Sequence, residues 1–355
     1  MRRVAFLVTV SVWFAAGGQV RASLFDLGPE QLVQAGGVAV TVDGYSVPSY
    51  VDWNNDGRKD LIVGEGGGGG YVGRVRVYLN VGTSSNPQFS DFFYAQSQGQ
   101  DLSHSYGCDC GCLGLFPRVV YWDGDGKKDL IVGTPEGTVI LYRNVGSEQK
   151  PTFDAGTLLQ VGPGGAEVDI DVGDRATPVV ADWDNDGLQD LVVGSIDGQI
   201  RLFINQSSDT EPEFISEQYA MEDGGHLIVP MARSSPAVGD FDGDGKKDLL
   251  TGDTEGQLLF YSNVGTDESP VFTGYTLLLS AGEVIDLEGL ARSRPFVCDW
   301  TGDGLLDILV GARDGKVHLY QGVPEPSSLC LVAVGLVGLI GRSGKARQRR
   351  RSSSG

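Results

Sequence analysis

Residues 182–194 read Asp-Trp-Asp-Asn-Asp-Gly-Leu-Gln-Asp-Leu-Val-Val-Gly, an acidic loop that runs directly into an apolar strand. The same pattern occurs four more times, starting at Asp52, Tyr121, Asp240 and Asp299, so that successive copies lie 69, 61, 58 and 59 residues apart. Internal repeats of this length are typical of solenoids, propellers and arrays. The repeat therefore decides the fold.

Each repeat predicts four strands. A proline lies four residues ahead of every copy: Pro48, Pro117, Pro178, Pro236 and Pro295. An inner strand follows this proline, and a second strand is the apolar run after the acidic loop. The third strand alternates in hydrophobicity and ends at an asparagine in four copies: Asn80, Asn144, Asn205 and Asn263. A Pro-x-Phe sequence then opens the fourth strand at Phe89, Phe153, Phe214 and Phe272.

Four-stranded units in series predict an all-β fold, a β-propeller of five four-stranded blades. The last repeat, which ends near Tyr320, has no fourth strand of its own. Residues 24–28 (Leu-Phe-Asp-Leu-Gly) resemble residues 152–156 (Thr-Phe-Asp-Ala-Gly). We therefore expect the N-terminal strand to complete the last blade and so remove the open edge of the ring. An open β-solenoid is the alternative arrangement.

Charge limits the classes of partner. The chain has 47 acidic and 27 basic residues, a formal net charge of −20. Nine of the bases lie in residues 1–22 and 327–355, which contain no acid, so the body between them is more acidic still. Because a phosphate backbone is bound by basic surfaces, we expect no nucleic-acid partner.

The N-terminal segment predicts export. Arg2 and Arg3 form a basic start, residues 4–16 are apolar, and small residues precede Ser23. This order is typical of a signal peptide over residues 1–22. A buried first helix is the alternative.

The C-terminal segment, residues 323–355, contains Pro324-Glu325-Pro326, an apolar run over residues 329–340 and an arginine cluster. This order resembles the PEP-CTERM sorting signal. The resemblance implies an exosortase-type sorting enzyme as partner, and membrane contact that is only transient, through the C-terminal transmembrane helix. A permanent tail anchor is the alternative, although the apolar run is shorter than the roughly 20 residues that a spanning helix needs.

The acidic loops have the composition of calcium sites. Carboxylate or amide oxygens stand at positions 1, 3, 5 and 9, a backbone carbonyl is available at position 7, and glycine at position 6 permits a tight turn. Calcium takes six to eight oxygen ligands, whereas magnesium prefers to keep its waters. The alternative, five acidic turns without metal, would crowd like charges at short range.

With this spacing ahead of an apolar strand, residues 23–322 resemble the FG-GAP/VCBS repeat family, whose blades form the heads of integrin α-subunits. The resemblance implies structural calcium in up to five loops, each bracing the inner strand of its blade. The ligands carried over, with position 7 contributing its carbonyl, are these: loop 1, Asp52, Asn54, Asp56, Arg58 and Asp60; loop 2, Asp123, Asp125, Lys127 and Asp129; loop 3, Asp182, Asp184, Asp186, Leu188 and Asp190; loop 4, Asp240, Asp242, Asp244, Lys246 and Asp248; loop 5, Asp299, Thr301, Asp303, Leu305 and Asp307. Loop 2 begins with Tyr121 and is expected to be the weakest site.

Two insertions are candidates for ligand binding, because long loops on a rigid scaffold often carry function. One is residues 65–73, and the other is the crossing before Pro117, which contains Cys108, Cys110 and Cys112. Both are expected on the face opposite the acidic loops, although either could be decoration. These cysteines could form a local disulfide or a link to Cys298, which could equally be a small core residue.

Three arginines precede a blade proline by three residues: Arg175, Arg233 and Arg292. They could line the channel mouth and attract an anion, or form ion pairs with neighbouring blades.

No catalytic residue is predicted, since the histidines are scattered and no nucleophile motif is present. The sequence favours a non-enzymatic, exported module of the cell surface or extracellular matrix that binds a glycan or a surface protein. A polysaccharide lyase or hydrolase and a purely structural matrix component are the alternatives.

Overall fold

The computed structural model describes residues 26–66, 72–106, 114–287, 289 and 292–324. The signal-peptide and C-terminal helix predictions concern residues outside these ranges. All the strands belong to the unit Met1–Gly322, and the described residues contain no helix.

The strands fall into five successive groups. The first contains β1 (Gln31–Leu32), β2 (Gln34–Ala35), β3 (Val38–Ala39), β4 (Val47–Val51), β5 (Asp60–Glu65), β6 (Val72–Asn80), β7 (Phe89–Tyr94), β8 (Gln96–Ser97), β9 (Gln100–Asp101) and β10 (Ser103–Ser105). The second contains β11 (Phe116–Val120), β12 (Asp129–Gly133), β13 (Val139–Tyr142), β14 (Thr157–Leu158), β15 (Gln160–Val161) and β16 (Val168–Asp169). The third contains β17 (Thr177–Ala181), β18 (Asp190–Gly194), β19 (Ile200–Asn205), β20 (Phe214–Tyr219), β21 (Met221–Glu222) and β22 (Gly225–His226). The fourth contains β23 (Pro236–Gly239), β24 (Asp248–Gly252), β25 (Leu258–Tyr261), β26 (Val271–Phe272), β27 (Thr276–Leu277), β28 (Leu279–Ser280) and β29 (Glu283–Val284). The last contains β30 (Arg294–Cys298), β31 (Asp307–Gly311) and β32 (Val317–Tyr320).

These strands form five antiparallel blades. From the inner to the outer strand, the blades are β4-β5-β6-β7, β11-β12-β13-β14, β17-β18-β19-β20, β23-β24-β25-β27 and β30-β31-β32-β1. Each inner strand contacts the inner strand of the next blade, and β30 of blade 5 contacts β4 of blade 1. The ring is therefore closed, and the predicted five-bladed β-propeller is confirmed, including its closure by the N-terminal strand.

The register of the closing strand differs from the prediction. Leu27 bridges Gly322, and Gln31–Leu32 pair with Leu319 and His318. In blade 2, Phe153 makes the equivalent bridge to Asn144. Leu27, and not Phe25, is therefore the counterpart of Phe153, so the predicted alignment was wrong by two residues. A two-residue shift keeps every side chain on the same face of the strand, and so the alternating pattern could not distinguish the two registers.

The repeated glycine and proline meet between blades. At Gly133, the last residue of β12, an added Cβ would lie 2.0 Å from the carbonyl oxygen of Ala176 and 2.5 Å from Cδ of Pro178 in the next blade. The glycines at the same position of the other repeats also approach the next blade, with separations of 2.1–2.6 Å from an added Cβ: Gly64, Gly194, Gly252 and Gly311. All five repeats therefore contain a close contact between blades that only glycine can make without moving the neighbouring backbone.

A short hairpin after each outer strand was not predicted. The five hairpins are β2-β3, β8-β9, β15-β16, β21-β22 and β28-β29. In each crossing, a backbone N–H donates to the carbonyl of a residue that opens or shortly precedes the outer strand of the next blade. The pairs are Gly36 to Phe89, Gln98 to Phe153, Gly162 to Phe214, Asp223 to Phe272 and Ala281 to Leu27, at 2.8–3.2 Å. These bonds fasten each blade to the next.

The hydrophobic core consists of five clusters, and each lies between two neighbouring blades. The cluster between blades 5 and 1, for example, joins Leu309 and Leu319 to Leu61 and Val63. Burial of apolar surface therefore stabilises the ring as a whole.

Candidate metal centres

The five acidic loops, numbered 1 to 5 with their blades, each join an inner strand to a second strand. In all five, the aspartate at position 9 is buried and at most 1% exposed. Asp190, for example, accepts a hydrogen bond from the Trp183 N–H (2.7 Å) on one carboxylate oxygen and from the Asn205 N–H (2.8 Å) on the other. The same two bonds occur at Asp60, Asp129, Asp248 and Asp307. Position 9 therefore ties each loop to the third strand of its blade.

Burial also affects the protonation of these aspartates. It raises the pKa of Asp60, Asp190 and Asp248 to about 6. Their backbone hydrogen bonds oppose this shift only in part. A neighbouring divalent cation would favour the charged carboxylate, since an opposite charge nearby lowers an acid's pKa.

Loop 3 provides the test of whether a cation fits. Carboxylate oxygens of Asp182, Asp184 and Asp190 all lie within 4.8 Å of one another. Asp184 Oδ1 is buried without a hydrogen-bond partner among the described residues. Burial, followed by the charges of Asp186 and Asp182, raises the pKa of Asp184. A buried, unpaired carboxylate oxygen is costly unless a cation compensates it, so the donor set of loop 3 fits calcium.

Loop 4 brings together Asp240, Asp242 and Asp244, again with oxygens within 4.8 Å of one another. The side chain at position 7, Lys246, contacts Asp244 at 2.8 Å. In loop 1 the position-7 side chain makes the same contact: Arg58 lies 2.6 Å from Asp56. In both loops the hydrogen bond donated by the basic side chain at position 7 lowers the pKa of the aspartate at position 5.

Loop 2 has three carboxylates, and basic side chains contact two of them. Lys127 contacts Asp125 at 2.9 Å, and Arg143 approaches Asp123 at 3.7 Å. Tyr121, at position 1, is 49% exposed. These basic side chains partly neutralise the carboxylates of loop 2, and its rank as the weakest site stays a prediction.

Loop 5 folds around its first aspartate. Asp299 accepts hydrogen bonds from the N–H groups of Gly302, Asp303 and Gly304. The hydroxyl oxygen of Thr301, at position 3, is buried and has no hydrogen-bond partner within the described chain. Position 3 is thus unpaired in loops 3 and 5, the two loops with leucine at position 7.

Position 2 was overlooked in the sequence. Its aromatic side chain packs across the interface onto the phenylalanine that opens the next outer strand. The pairs, with their centroid separations, are Trp53–Phe153 (5.8 Å), Trp122–Phe214 (6.4 Å) and Trp300–Phe89 (5.8 Å). In blade 4, Phe241 packs against the cluster that contains Leu27. The aromatic residue at position 2 of all five copies was the available signal.

The structure brings the two insertions together. Strand β10, in the crossing before Pro117, pairs with the start of β6, and His104 aligns with Gly73. His104 lies 3.3 Å from Glu136 of the next blade. Residues 67–71 and 107–113, which include the three clustered cysteines, lie outside the described residues. Cys298 is a buried free thiol in the core cluster between blades 5 and 1.

Two of the three arginines that precede a blade proline lie against aromatic rings. Arg175 lies 5.7 Å from the ring centroid of Phe116, and Arg292 lies 5.1 Å from that of Tyr45. All three predicted arginines have positive φ, between 56° and 63°. Whether they attract an anion stays a prediction.

Two further arginine–phenylalanine contacts join blades 2 and 5. Arg118 lies 5.6 Å from the ring centroid of Phe296, and Arg294 lies 5.3 Å from that of Phe116. Because blades 2 and 5 are not adjacent, these side chains reach across the channel. A cavity of about 290 Å³ remains beside Arg118 and Phe296.

A search of the described ranges for membrane-spanning segments found no helix that is long and apolar enough to cross a bilayer.

Comparison with known proteins supports two segments directly. Residues 182–251 match the FG-GAP-like repeat, and residues 322–350 match the PEP-CTERM protein-sorting motif. The chain is 25% identical to integrin alpha-4 of Xenopus laevis over 224 residues, which cover 58% of this chain and 21% of that integrin. It is 25% identical to integrin alpha-8 of Mus musculus over 294 residues, or 75% of this chain and 26% of that integrin. The chain thus spans about a quarter of the length of these curated relatives.

Among solved structures, a GH43_1 enzyme from Xanthomonas citri aligns with a TM-score of 0.47 and 12% identity, over 81% of this chain and 90% of that one.

These matches support the resemblance drawn from the sequence: one segment of the chain matches an FG-GAP-like repeat, and another matches a PEP-CTERM motif. Such a motif implies export and processing by an exosortase-type sorting system.

Proposed function

We propose that this five-bladed FG-GAP-like propeller protein is a calcium-stabilised binding module of the cell surface or extracellular matrix, which adheres to a glycan or a surface protein. The observation that carries the proposal is the presence, in one chain, of an integrin-like propeller and a PEP-CTERM motif. A signal peptide over residues 1–22 would start export, and cleavage near residues 324–326 would complete sorting.

Calcium has a structural role in this proposal. The ligands would be the residues at positions 1, 3, 5 and 9 of each loop, with the position-7 carbonyl, and loop 3 offers the best-matched set. When bound, the ion supplies positive charge to clustered carboxylates. The loop residues themselves do the bracing: position 9 holds the third strand, and position 2 packs on the next blade.

Several contacts favour binding over catalysis. Two arginine–phenylalanine pairs reach across the channel, so these charged side chains already have partners. His318 is held by Glu30 and Asp314, and His226 stacks on Tyr219 at a centroid distance of 4.0 Å. These histidines therefore have structural partners.

The test combines a glycan array with a pull-down of envelope proteins, both performed with the purified chain in calcium. We expect stable retention of a glycan or of a surface protein. Absence of both would contradict the proposal. Turnover of an acidic polysaccharide that is lost on substitution of a single carboxylate would instead support the enzyme alternative.

A further inference from the structure

A groove lies between blades 5 and 1, where the N-terminal strand closes the ring. Its volume is about 660 Å³, and none of its fifteen lining residues is charged. The chain as a whole has a net charge of −20, so the neutral lining sets this groove apart from the average composition. Small-molecule sites commonly have volumes of roughly 300–1,000 Å³.

Besides the hydroxyls of Ser85 and Thr301, the polar side chains of this groove are five carboxamides. The five are Gln31, Gln34, Asn86, Gln88 and Gln321. Gln31 Nε2 donates to Gln321 Oε1 at 2.8 Å. The side chains of Gln34, Asn86 and Gln88 are exposed and make no hydrogen bond to the described residues. Each of these three carboxamides therefore offers two donor hydrogens and an acceptor oxygen to a ligand.

The repeat supplies an internal comparison. A groove in the equivalent place, between blades 2 and 3, has a volume of about 300 Å³. Trp122 and Phe214 line it where Trp300 and Phe89 line the first groove, and Gln160 takes the place of Gln34. At three further carboxamide positions the second groove has a charged residue. Arg143 replaces Gln321, while Glu211 and Glu213 replace Asn86 and Gln88. The same scaffold thus carries one neutral and one charged groove.

The hairpin that borders each groove accounts for part of this difference. Between β2 and β3 the turn is only Gly36 and Gly37, both with positive φ. Between β15 and β16 the turn extends over residues 162–167 and adds Glu167 to the lining. The two-glycine turn leaves the groove between blades 5 and 1 wider and without charge.

The lining determines the chemistry of the ligand. A charged ligand would find no opposite charge in this groove, and an apolar ligand would have to desolvate the carboxamides without replacing their hydrogen bonds. A peptide could bind by adding a strand to a free sheet edge. However, β2 already pairs with β3 on one side and with β7 on the other. Uncharged hydroxyl groups, which both donate and accept, are the best complement.

We propose that the groove between blades 5 and 1 binds a neutral oligosaccharide through Gln34, Asn86 and Gln88. The inference rests on the proposed function and gives it a site and a ligand class. It also places that site beside loop 5, because Trp300 and Thr301 belong to the groove lining.

The test transfers the charge of one groove to the other. The double variant Asn86→Glu/Gln88→Glu copies Glu211 and Glu213, and its matched control is Glu211→Gln/Glu213→Gln. All four side chains are exposed or partly exposed, so both variants should melt like the parent chain. Probes are uncharged oligosaccharides, uronate-containing oligosaccharides and envelope proteins, applied to the full chain in calcium.

We expect the parent to bind an uncharged oligosaccharide with an affinity that hardly changes with salt, because no ion pair contributes. The double variant should lose about tenfold or more in affinity, since two ligand-facing carboxamides lose their donors. The control should bind like the parent.

If the double variant bound the oligosaccharide as tightly as the parent, the groove would not be the binding site, and the proposed function would stay intact. Retention of only acidic glycans or only proteins would have the same consequence. Failure to retain any glycan or protein would overturn both.

Discussion

The indole ring of Trp183 packs against the ring of Phe272, with centroids 6.3 Å apart and an interplanar angle of 53°. Trp183 is position 2 of loop 3, whereas Phe272 opens the outer part of the next blade. The N–H of Trp183 donates to Asp190, which is also a proposed calcium ligand. An ion that ordered this loop would therefore also order an interface between blades.

Removal of calcium should destabilise the chain. Each occupied site contributes about 2.7 kcal/mol when free calcium is 100 times its Kd. At about 2–4 °C per kcal/mol, EGTA should lower the melting temperature by roughly 5–10 °C for each occupied site.

Two variants localise the effect. Asp184→Ala should reduce the EGTA-induced fall in melting temperature by the amount expected for one site. Asp123→Ala in loop 2 should leave that fall almost unchanged. Identical melting curves with and without EGTA would contradict the structural role of calcium.

Truncation of Trp183 should be costly for a second reason. Trp183→Ala removes a buried aromatic side chain that packs between two blades, a change that typically costs about 3–5 kcal/mol. Trp183→Phe is the matched control, because Phe241 occupies the same position in loop 4. Urea unfolding in calcium measures the free energy of unfolding of both variants. If the two variants were equally stable, the contact with Phe272 would have no energetic role.

Ring closure should depend on Gly311. A Cβ added there would lie 2.2 Å from the carbonyl oxygen of Ser46 in blade 1. Gly311→Ala must therefore shift backbone, at a cost of at least ~2 kcal/mol. At Gly225, also in a strand, the nearest atom would lie 3.8 Å away, so Gly225→Ala should change the free energy of unfolding by less than about 0.5 kcal/mol. Equal effects of the two substitutions in chemical denaturation would refute the close contact between blades.

The sequence predicted the blades but not the connections between them. Repetition of the acidic loop, the proline and the glycine was enough to place four strands in each repeat. The register of the closing strand failed because an alternating pattern is unchanged by a shift of two residues. The hairpins were missed because two-residue strands such as Met221–Glu222 have no periodicity to detect.

The candidate metal loops were visible as a linear motif, whereas the groove was not. Its lining combines Gln31, Asn86 and Gln321, which come from opposite ends of the propeller sequence. Only closure of the ring brings them together. From the sequence, ligand binding was expected on the face that carries the two insertions, whereas the neutral groove lies beside an acidic loop.

The closing strand should respond to pH through His318. Its ring contacts Glu30 of the N-terminal segment at 2.7 Å and Asp314 at 3.3 Å. Burial alone would lower the pKa of His318, but hydrogen bonds to Asp314 and Glu30 raise it above its ordinary value. Burial likewise opposes the shift of Asp314, yet the hydrogen bond from His318 helps to lower the pKa of Asp314 to about 2.

The signs of the two shifts define a pH window. A raised histidine pKa means that the folded state binds the proton more tightly, so the stabilisation is complete below about pH 6.5 and is lost as pH rises through the folded pKa. The lowered pKa of Asp314 stabilises the fold above about pH 4, and this contribution is lost as pH falls towards 2.

His318→Leu isolates the effect, because Ile140 and Leu259 occupy the equivalent position in blades 2 and 4. The parent should lose stability relative to this variant as pH rises from 6 to 9, by on the order of 1 kcal/mol. The buried aspartates with raised pKa values also make the fold lose stability as pH rises. Measuring the difference between the two chains removes this contribution, which both share. If that difference did not change between pH 6 and 9, the contacts of His318 with Glu30 and Asp314 would not govern closure of the ring.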